Sequence, residues 1–403
     1  MLRATLSLVL LVSSAHALVH VYELSLPSVE QQIAEEYFGT DEAGGKAMTG
    51  RLSNSWRLMW GFGAIVAGLL VDRFGARRLL AVYLLGCAAA CSLAATSSTQ
   101  SSLFVAMITM GALASIYHPA GLSLISHETN SDNRPLALGI HGIFGSAGIS
   151  SAPLLAGILL AASFSWRQVY WTLTVPGAIL GIVFVLQALR HPAIESRREK
   201  SVTDTTDDQD HVDWTSFFTL TVMASVQGFV YSALMSFLPR YLSGAAEWFG
   251  VAKSDGNFLA AGVLFVGCAG QALAGRFARS SILEKQLAWI TFGNIPFLLW
   301  MAYANTWDRV PAAGLLALVH FMHQPIYNSL IAKYTPRHRR SLCYGFSFAM
   351  GLGLGSFGAR FAGEFQSDRF VYGALAAVAA LGCLICIVLC LLNRSHRSLQ
   401  RIT

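Results

Sequence analysis

Four residues near the start of the chain, His16, His20, Glu23 and Pro27, follow one another at steps of four, three and four. That spacing puts them on one face of an α-helix. Two imidazoles and a carboxylate on a single stripe are groups that take up and release protons. The stretch that carries them, SSAHALVHVYELSLP at residues 13–27, is otherwise largely apolar. A charged side chain at hydrocarbon depth is costly, so such groups usually face a cavity and mark a proton or substrate route. Glu23, His20 and His16 are therefore the candidates for proton coupling. A structural reading stands beside this one, in which His16 and His20 hydrogen-bond across helices and Glu23 sits near the outer interface.

Further along, His118 and His141 fall about 10–14 Å from the inner ends of their segments at ~1.5 Å per helical residue. They should share a level and could both meet a substrate. His118 precedes Pro119, so its alternative role is to satisfy carbonyls that the proline frees. His320 and His323 form an i, i+3 pair with Asn328 beyond them, and Gln227 and Tyr231 are i, i+4 neighbours. These five complete the candidate substrate contacts. Arg360 and Glu364, also i, i+4, are expected to pair with each other. No ligand set has a dedicated spacing such as HExxH, so neither a metal nor a cofactor is expected. The string GLGSFG at 353–358 fits GxGxxG in form, but it follows no strand, and its glycines are better explained by helix packing.

The elements that must hold these residues are membrane helices. Hydrophobic residues make up 54% of the 403 and charged residues only 12%, against roughly 25% charged in a soluble domain. The formal charge of +6 is scattered between apolar runs rather than gathered on one face, which argues against nucleic acid. The seven cysteines lie in or beside apolar segments; Cys383 and Cys386 form a CxxC with no second pair, and no disulfide framework is expected. Apolar runs long enough to cross a bilayer fall near 4–28, 53–71, 79–97, 101–125, 136–162, 168–189, 214–241, 256–280, 286–305, 310–332, 341–363 and 370–392. The first of them imitates a secretory leader, with a cleavage-like AHA at Ala15 to Ala17. Its removal would leave an odd number of spans, so it is expected to stay as span one. The polar, aromatic-free stretch at 191–213 reads as a cytoplasmic linker between an N-terminal half, 1–190, and a C-terminal half, 214–403, with a short basic tail. The larger share of the 28 Lys and Arg falls on the inner side if both termini are cytoplasmic. An inner or plasma membrane follows.

The halves carry a trace of duplication. Shifting residues 118–157 by 206 superposes Pro119, Ser123, Leu124, Ile125, Thr129, Arg134, Leu136, Gly139, Gly145, Ser150, Ala156 and Gly157 on identical residues from Pro325 to Gly363. Spans four and five thus recur as ten and eleven. Parallel internal repeats are an architecture of secondary transporters with a site between the repeats.

Between spans two and three stands GLLVDRFGARR, with Gly68, Asp72, Arg73, Gly75, Arg77 and Arg78. Gly68 allows close helix approach, Asp72 can cap or pair at a helix end, Gly75 makes a tight turn, and the arginines suit an anionic cytoplasmic face. The string resembles the signature loop of the major facilitator superfamily, which implies an all-α fold of twelve transmembrane helices in two pseudo-symmetric halves and a cytoplasmic latch at this loop. The second copy, GQALAGRFARS, has Gly275 where the Asp would stand. GSAGISSAPLLAG in span five, with Gly148, Ala152, Pro153, Ala156 and Gly157, resembles the small-residue and proline motif of proton-coupled exporters. His16 and the YHP of residues 117–119 are similar to features of the fosmidomycin-resistance branch, while Glu23, His20 and Ala120 depart from it. Met107 stands where many drug and proton antiporters have an arginine. The resemblance further implies that spans one, two, four, five, seven, eight, ten and eleven line the cavity. Spans three and twelve indeed carry no charged or histidine side chain.

The expected function is secondary transport of a small molecule by alternating access, coupled to protons, with efflux preferred. Its partners would be the substrate, protons and the lipid bilayer, and the chain would act as a monomer. An uptake carrier or uniporter for an organic anion or metabolite is the alternative within transport, and a membrane sensor or assembly protein the alternative outside it. No nucleophile or metal signature suggests an enzyme.

Overall fold

A computed structural model describes residues 3–130, 133–191, 212–248, 250, 255–336 and 340–399. Residues 192–211 of the expected linker and the last four residues of the tail lie outside the described set. Among the described residues every regular element is helical. The chain divides into two compact units, Met1–Asp208 and Gln209–Thr403.

The N-terminal unit holds α1 (Arg3–Phe38), α2 (Glu42–Phe74), α3 (Ala76–Thr96), α4 (Gln100–Ala114), α5 (Tyr117–Glu128), α6 (Arg134–Ala161) and α7 (Trp166–Arg190). Its main packing pairs are α1 with α6, α3 with α7, and α2 with α4. The C-terminal unit holds α8 (Trp214–Trp248), α9 (Gly256–Phe277), α10 (Leu283–Tyr303), α11 (Arg309–Phe321), α12 (His323–Tyr334), α13 (Arg340–Phe348), α14 (Phe357–Glu364) and α15 (Asp368–Leu399). There α8 packs on α14, α10 on α15, and α9 on α11, so the second unit repeats the pairings of the first. Grouped by the predicted runs, these helices occupy all twelve spans. Nine helical segments among the described residues are long and apolar enough to cross a membrane on length and composition. Leu69, Ile143, Leu189, Phe265 and Trp289 are each at least 69% exposed, as befits a surface that meets hydrocarbon. All seven cysteines are free.

Two spans expected as single helices are interrupted. Span four breaks at Ser115 and Ile116 between α4 and α5, and span ten breaks at Met322 between α11 and α12. A proline removes one backbone donor and clashes with the carbonyl four residues earlier; for Pro119 that residue is Ser115 and for Pro325 it is Phe321. The duplicated proline thus produces a duplicated break. Span eleven is also irregular, with a π turn at Ala349–Gly353 and a 3₁₀ turn at Leu354–Ser356. The π turn lies against α8: a Cβ on Gly228 would meet the Gly351 carbonyl oxygen at 1.9 Å, and one on Gly358 the Phe229 carbonyl oxygen at 1.9 Å. Gly351, in the π turn, and Gly355 and Gly358, in the GLGSFG string, therefore serve close backbone packing.

Each unit is braced by an ion pair at equivalent places, with the signs exchanged. Arg77 in the first turn of α3 binds Glu128 at the end of α5. In the second unit Glu284 in the first turn of α10 binds Lys333 in the last turn of α12, and also accepts from the Tyr334 hydroxyl at 2.6 Å. Helix N-termini favour anions and C-termini cations, so the C-terminal brace agrees with both helix dipoles and the N-terminal brace opposes both. Reversing either Arg77 or Glu128 alone should cost about 1–3 kcal/mol through the stranded partner. The double reversal Arg77→Glu with Glu128→Arg should restore stability and add about 0.3–1 kcal/mol per helix end, readable as the thermal midpoint of the detergent-solubilised protein.

Candidate functional site

In the N-terminal unit the stripe on α1 meets residues from α2, α5 and α6. His16 and His20 face one another with ring centroids 5.0 Å apart, and His118 lies 5.4 Å from His16 and 5.9 Å from His20. His141 stacks on His16 at 4.0 Å. The His16 Nδ1–H donates to the backbone carbonyl of His141 at 2.8 Å, so its lone pair is on Nε2. The Tyr117 hydroxyl donates to the Val12 carbonyl at 2.9 Å and lies 3.4 Å from His141 Nδ1. The Tyr83 hydroxyl from α3 donates to the Ala15 carbonyl at 3.0 Å, which ties the neighbouring turn of α1 in place. Trp60 closes one side, 5.9 Å from His20 and 5.7 Å from His118.

Glu23 is buried at the end of this cluster. Its Oε2 accepts from His20 Nδ1 at 2.9 Å, and its Oε1 lies 3.5 Å from Nε of Arg57, which is 1% exposed. A buried ion pair with an imidazole on its other side satisfies the carboxylate's charge and orients His20. One helical turn or two beyond, Thr49 donates to Glu30 at 2.7 Å. Glu30, Lys46 and Thr49 are all buried.

Glycines set how closely α6 approaches. A Cβ at Gly145 would lie 2.3 Å from Cε1 of His16, and one at Gly148 2.2 Å from the Ala17 carbonyl oxygen. Ala152, Pro153, Ala156 and Gly157 are buried further along the same helix, and Pro153 does not interrupt it.

The C-terminal unit carries a second polar cluster. His320 Nδ1 lies 3.0 Å from the Gln227 side-chain nitrogen and 3.0 Å from Asn294 Oδ1, accepting from the first or donating to the second according to tautomer. Tyr231 stacks on His320 with centroids 6.1 Å apart. His323, beyond the break, stacks on Tyr327 at 5.1 Å. Asn328 does not join this group: its side chain is exposed, and its backbone carbonyl accepts from Tyr344 at 2.8 Å. His320→Leu should strand the Gln227 and Asn294 amides at about 1–3 kcal/mol each, lowering the thermal midpoint in detergent, whereas Asn328→Leu should leave it unchanged.

At the α2–α3 loop, Gly75 has a φ of 86° and its N–H bonds the Val71 carbonyl at 2.8 Å. A left-handed glycine is a common way to end a helix. Asp72 and Arg73 are exposed on the last turn of α2, Gly68 has open space around it, and Arg78 is exposed. α3 has no side-chain cap, so the turn is made by Gly75 and not by Asp72, while Arg77 is engaged with Glu128. Arg360 and Glu364 face each other at 3.9 Å.

The profile of the Major Facilitator Superfamily matches residues 24–359. The chain belongs to that superfamily. As a superfamily member with long apolar helices it is an integral membrane protein. It is 32% identical over 168 residues to a puromycin resistance protein of Streptomyces alboniger, covering 40% of this chain and 30% of that one. It is 29% identical over 149 residues to an uncharacterised transporter of the superfamily from Mycobacterium tuberculosis, covering 35% and 24%. The match therefore spans less than a third of either relative's length. Among solved structures, a bacterial homologue of the lysosomal transporter Spinster superposes with a TM-score of 0.76 at 14% identity, covering 96% of this chain and 97% of that one. The xylose transporter of E. coli does so with a TM-score of 0.72 at 12% identity, covering 94% and 95%. These likenesses establish the superfamily fold.

Among the residues of these networks that sequence reasoning did not single out are Arg57, Trp60, Tyr83, Glu128, Asn294 and Tyr327. Arg57 stands near the start of the predicted run 53–71, beside Arg51, Ser53, Asn54 and Ser55, where a cation reads as an interfacial residue.

Proposed function

We propose that the chain is a proton-coupled secondary transporter that exports a small molecule by alternating access. The observation that carries this reading is the buried Glu23 carboxylate held between His20 and Arg57, with His16, His118 and His141 clustered next to His20. Protons and substrate would meet at this cluster, and Gln227, Tyr231, His320 and His323 would supply the substrate contacts of the C-terminal unit. The Asp72 loop would act as the cytoplasmic gate. Export is supported by the small-residue and proline motif of α6 and by the partial match to a drug-resistance protein.

Arg57 also supports a second reading, an organic-anion carrier, because a cation inside the membrane is a natural counter-ion for a carboxylate or phosphonate. Purified protein in liposomes with an internal pH dye separates the two. Candidate substrates that shift internal pH on addition support coupling. Flux of an anion without a pH change supports the carrier, and absence of any flux argues against both.

A further inference from the structure

A histidine cluster that can exchange protons can also hold a metal, and the arrangement on α1 and α5 has features that proton exchange does not require. One ring nitrogen from each of His16, His20 and His118 lies within 4.8 Å of the other two. His16 and His20 are one helical turn apart on a regular helix, the i, i+4 pairing that presents two imidazoles to one ion. His118 enters from the first turn of α5, just after the break imposed by Pro119. His20 and His118 are each partly exposed, so a solute can reach the group.

The outer contacts of two of these rings are those of metal-bound histidines. Such a histidine nearly always donates its second ring N–H to a carboxylate or a backbone carbonyl, which fixes the tautomer and aims the remaining lone pair at the ion. Here His16 Nδ1–H donates to the His141 carbonyl at 2.8 Å and His20 Nδ1–H to Glu23 at 2.9 Å. Both hydrogen bonds leave Nε2 as the ligand atom. Glu23 brings negative charge into the surroundings of the site, and Arg57 binds the carboxylate's other oxygen. Zinc–nitrogen bonds of about 2.0–2.1 Å in a tetrahedral site place neighbouring ligand nitrogens roughly 3.3 Å apart, so side-chain rotations that draw the nitrogens together by up to about 1.5 Å close the set. Three histidines leave a fourth position open, as zinc sites that bind an exchangeable group do.

We infer that His16, His20 and His118 form a binding site for a divalent transition metal ion of the zinc or cobalt type, with Glu23 as the positioning residue that orients His20. The inference shares its histidines with the proton-coupling reading but does not depend on coupling, because it concerns binding to the isolated protein.

The test uses the full chain, purified in detergent and stripped with a chelator, titrated with Co²⁺ and then with Zn²⁺. One Co²⁺ per chain should bind with the intense visible absorption of a four-coordinate ion, and Zn²⁺ should bleach it. His118→Gln and His20→Gln should each abolish the band, and His118→Cys should keep it while adding a sulfur-to-metal charge-transfer absorption. Glu23→Gln should keep the shape of the spectrum and weaken binding about 10–100-fold, the usual effect of losing an orienting partner. His191→Gln, at the exposed end of α7, should leave the spectrum and the affinity unchanged. Monodisperse gel filtration of each variant, together with the His118→Cys spectrum, separates loss of a ligand from loss of the fold. Absence of the band, a weak six-coordinate spectrum, or binding that survives His118→Gln in folded protein would each overturn the assignment. Running the liposome pH assay in chelator keeps failure of this site distinct from failure of coupling.

Discussion

Glu23→Gln is expected to stop substrate-driven proton movement in liposomes altogether and to destabilise the protein at the same time. The two effects have different origins. Glu23 is buried, accepts from His20 and faces Arg57, and an amide in its place can neither take up a proton nor balance the guanidinium. Removing one member of a buried ion pair typically costs about 3–5 kcal/mol. Replacing both members is much cheaper, because no net charge is left in the interior. The double variant Glu23→Gln with Arg57→Gln should therefore recover most of the lost thermal stability and none of the proton movement. Full pH-driven transport by folded Glu23→Gln would remove this carboxylate from the mechanism.

The second large effect is steric. Gly148→Val should prevent accumulation of folded protein, because the first added carbon would sit 2.2 Å from the carbonyl oxygen of Ala17 and backbone cannot rotate away as a side chain can. Overpacking costs about 1–3 kcal/mol where side chains adjust, and a backbone collision between α1 and α6 should exceed that range. Neighbouring glycines provide the contrast. A Cβ added at Gly142 would meet nothing within 4 Å, so Gly142→Ala should be neutral or stabilise by up to about 1 kcal/mol through helix propensity. At Gly145 the obstacle is the His16 ring. Gly145→Ala should thus yield folded protein whose His16 has lost the His141 carbonyl, impairing transport more than the thermal midpoint. Expression yield by fluorescence-detected gel filtration, followed by thermal unfolding, ranks the three.

The span pattern could be read from the chain because a bilayer demands long apolar segments that satisfy their own backbone. The breaks could not. Pro27, Pro153, Pro176, Pro239 and Pro296 all lie inside continuous helices, so a proline alone does not announce an interruption; what distinguishes Pro119 and Pro325 is that the chain yields at both copies of one duplicated position. The stripe of His16, His20 and Glu23 was legible from its 3.6-residue period, but its partner was not. Arg57 lies among Arg51, Ser53, Asn54 and Ser55, which reads as the polar edge of a span that begins near residue 53. α2 in fact begins at Glu42, and those eleven further residues turn an apparent edge into mid-helix. The exchanged brace of Glu284 and Lys333 was hidden for another reason: the duplicate conserves the location of the pair and reverses its residue types, so identity matching passes over it.

The pairing of Glu23 with Arg57 also bears on how the chain enters a membrane during synthesis. Each of the first two helices carries a charge that, inserted singly, would cost roughly 2.5–3.5 kcal/mol at the helix centre. Only residues 39–41 separate α1 from α2, with Gly39 at a φ of 56° turning the chain. The two helices can therefore leave the insertion machinery together as a hairpin whose opposite charges already face each other. On this account the smallest unit that would partition into lipid without an unpaired charge is the α1–α2 hairpin, not the single helix.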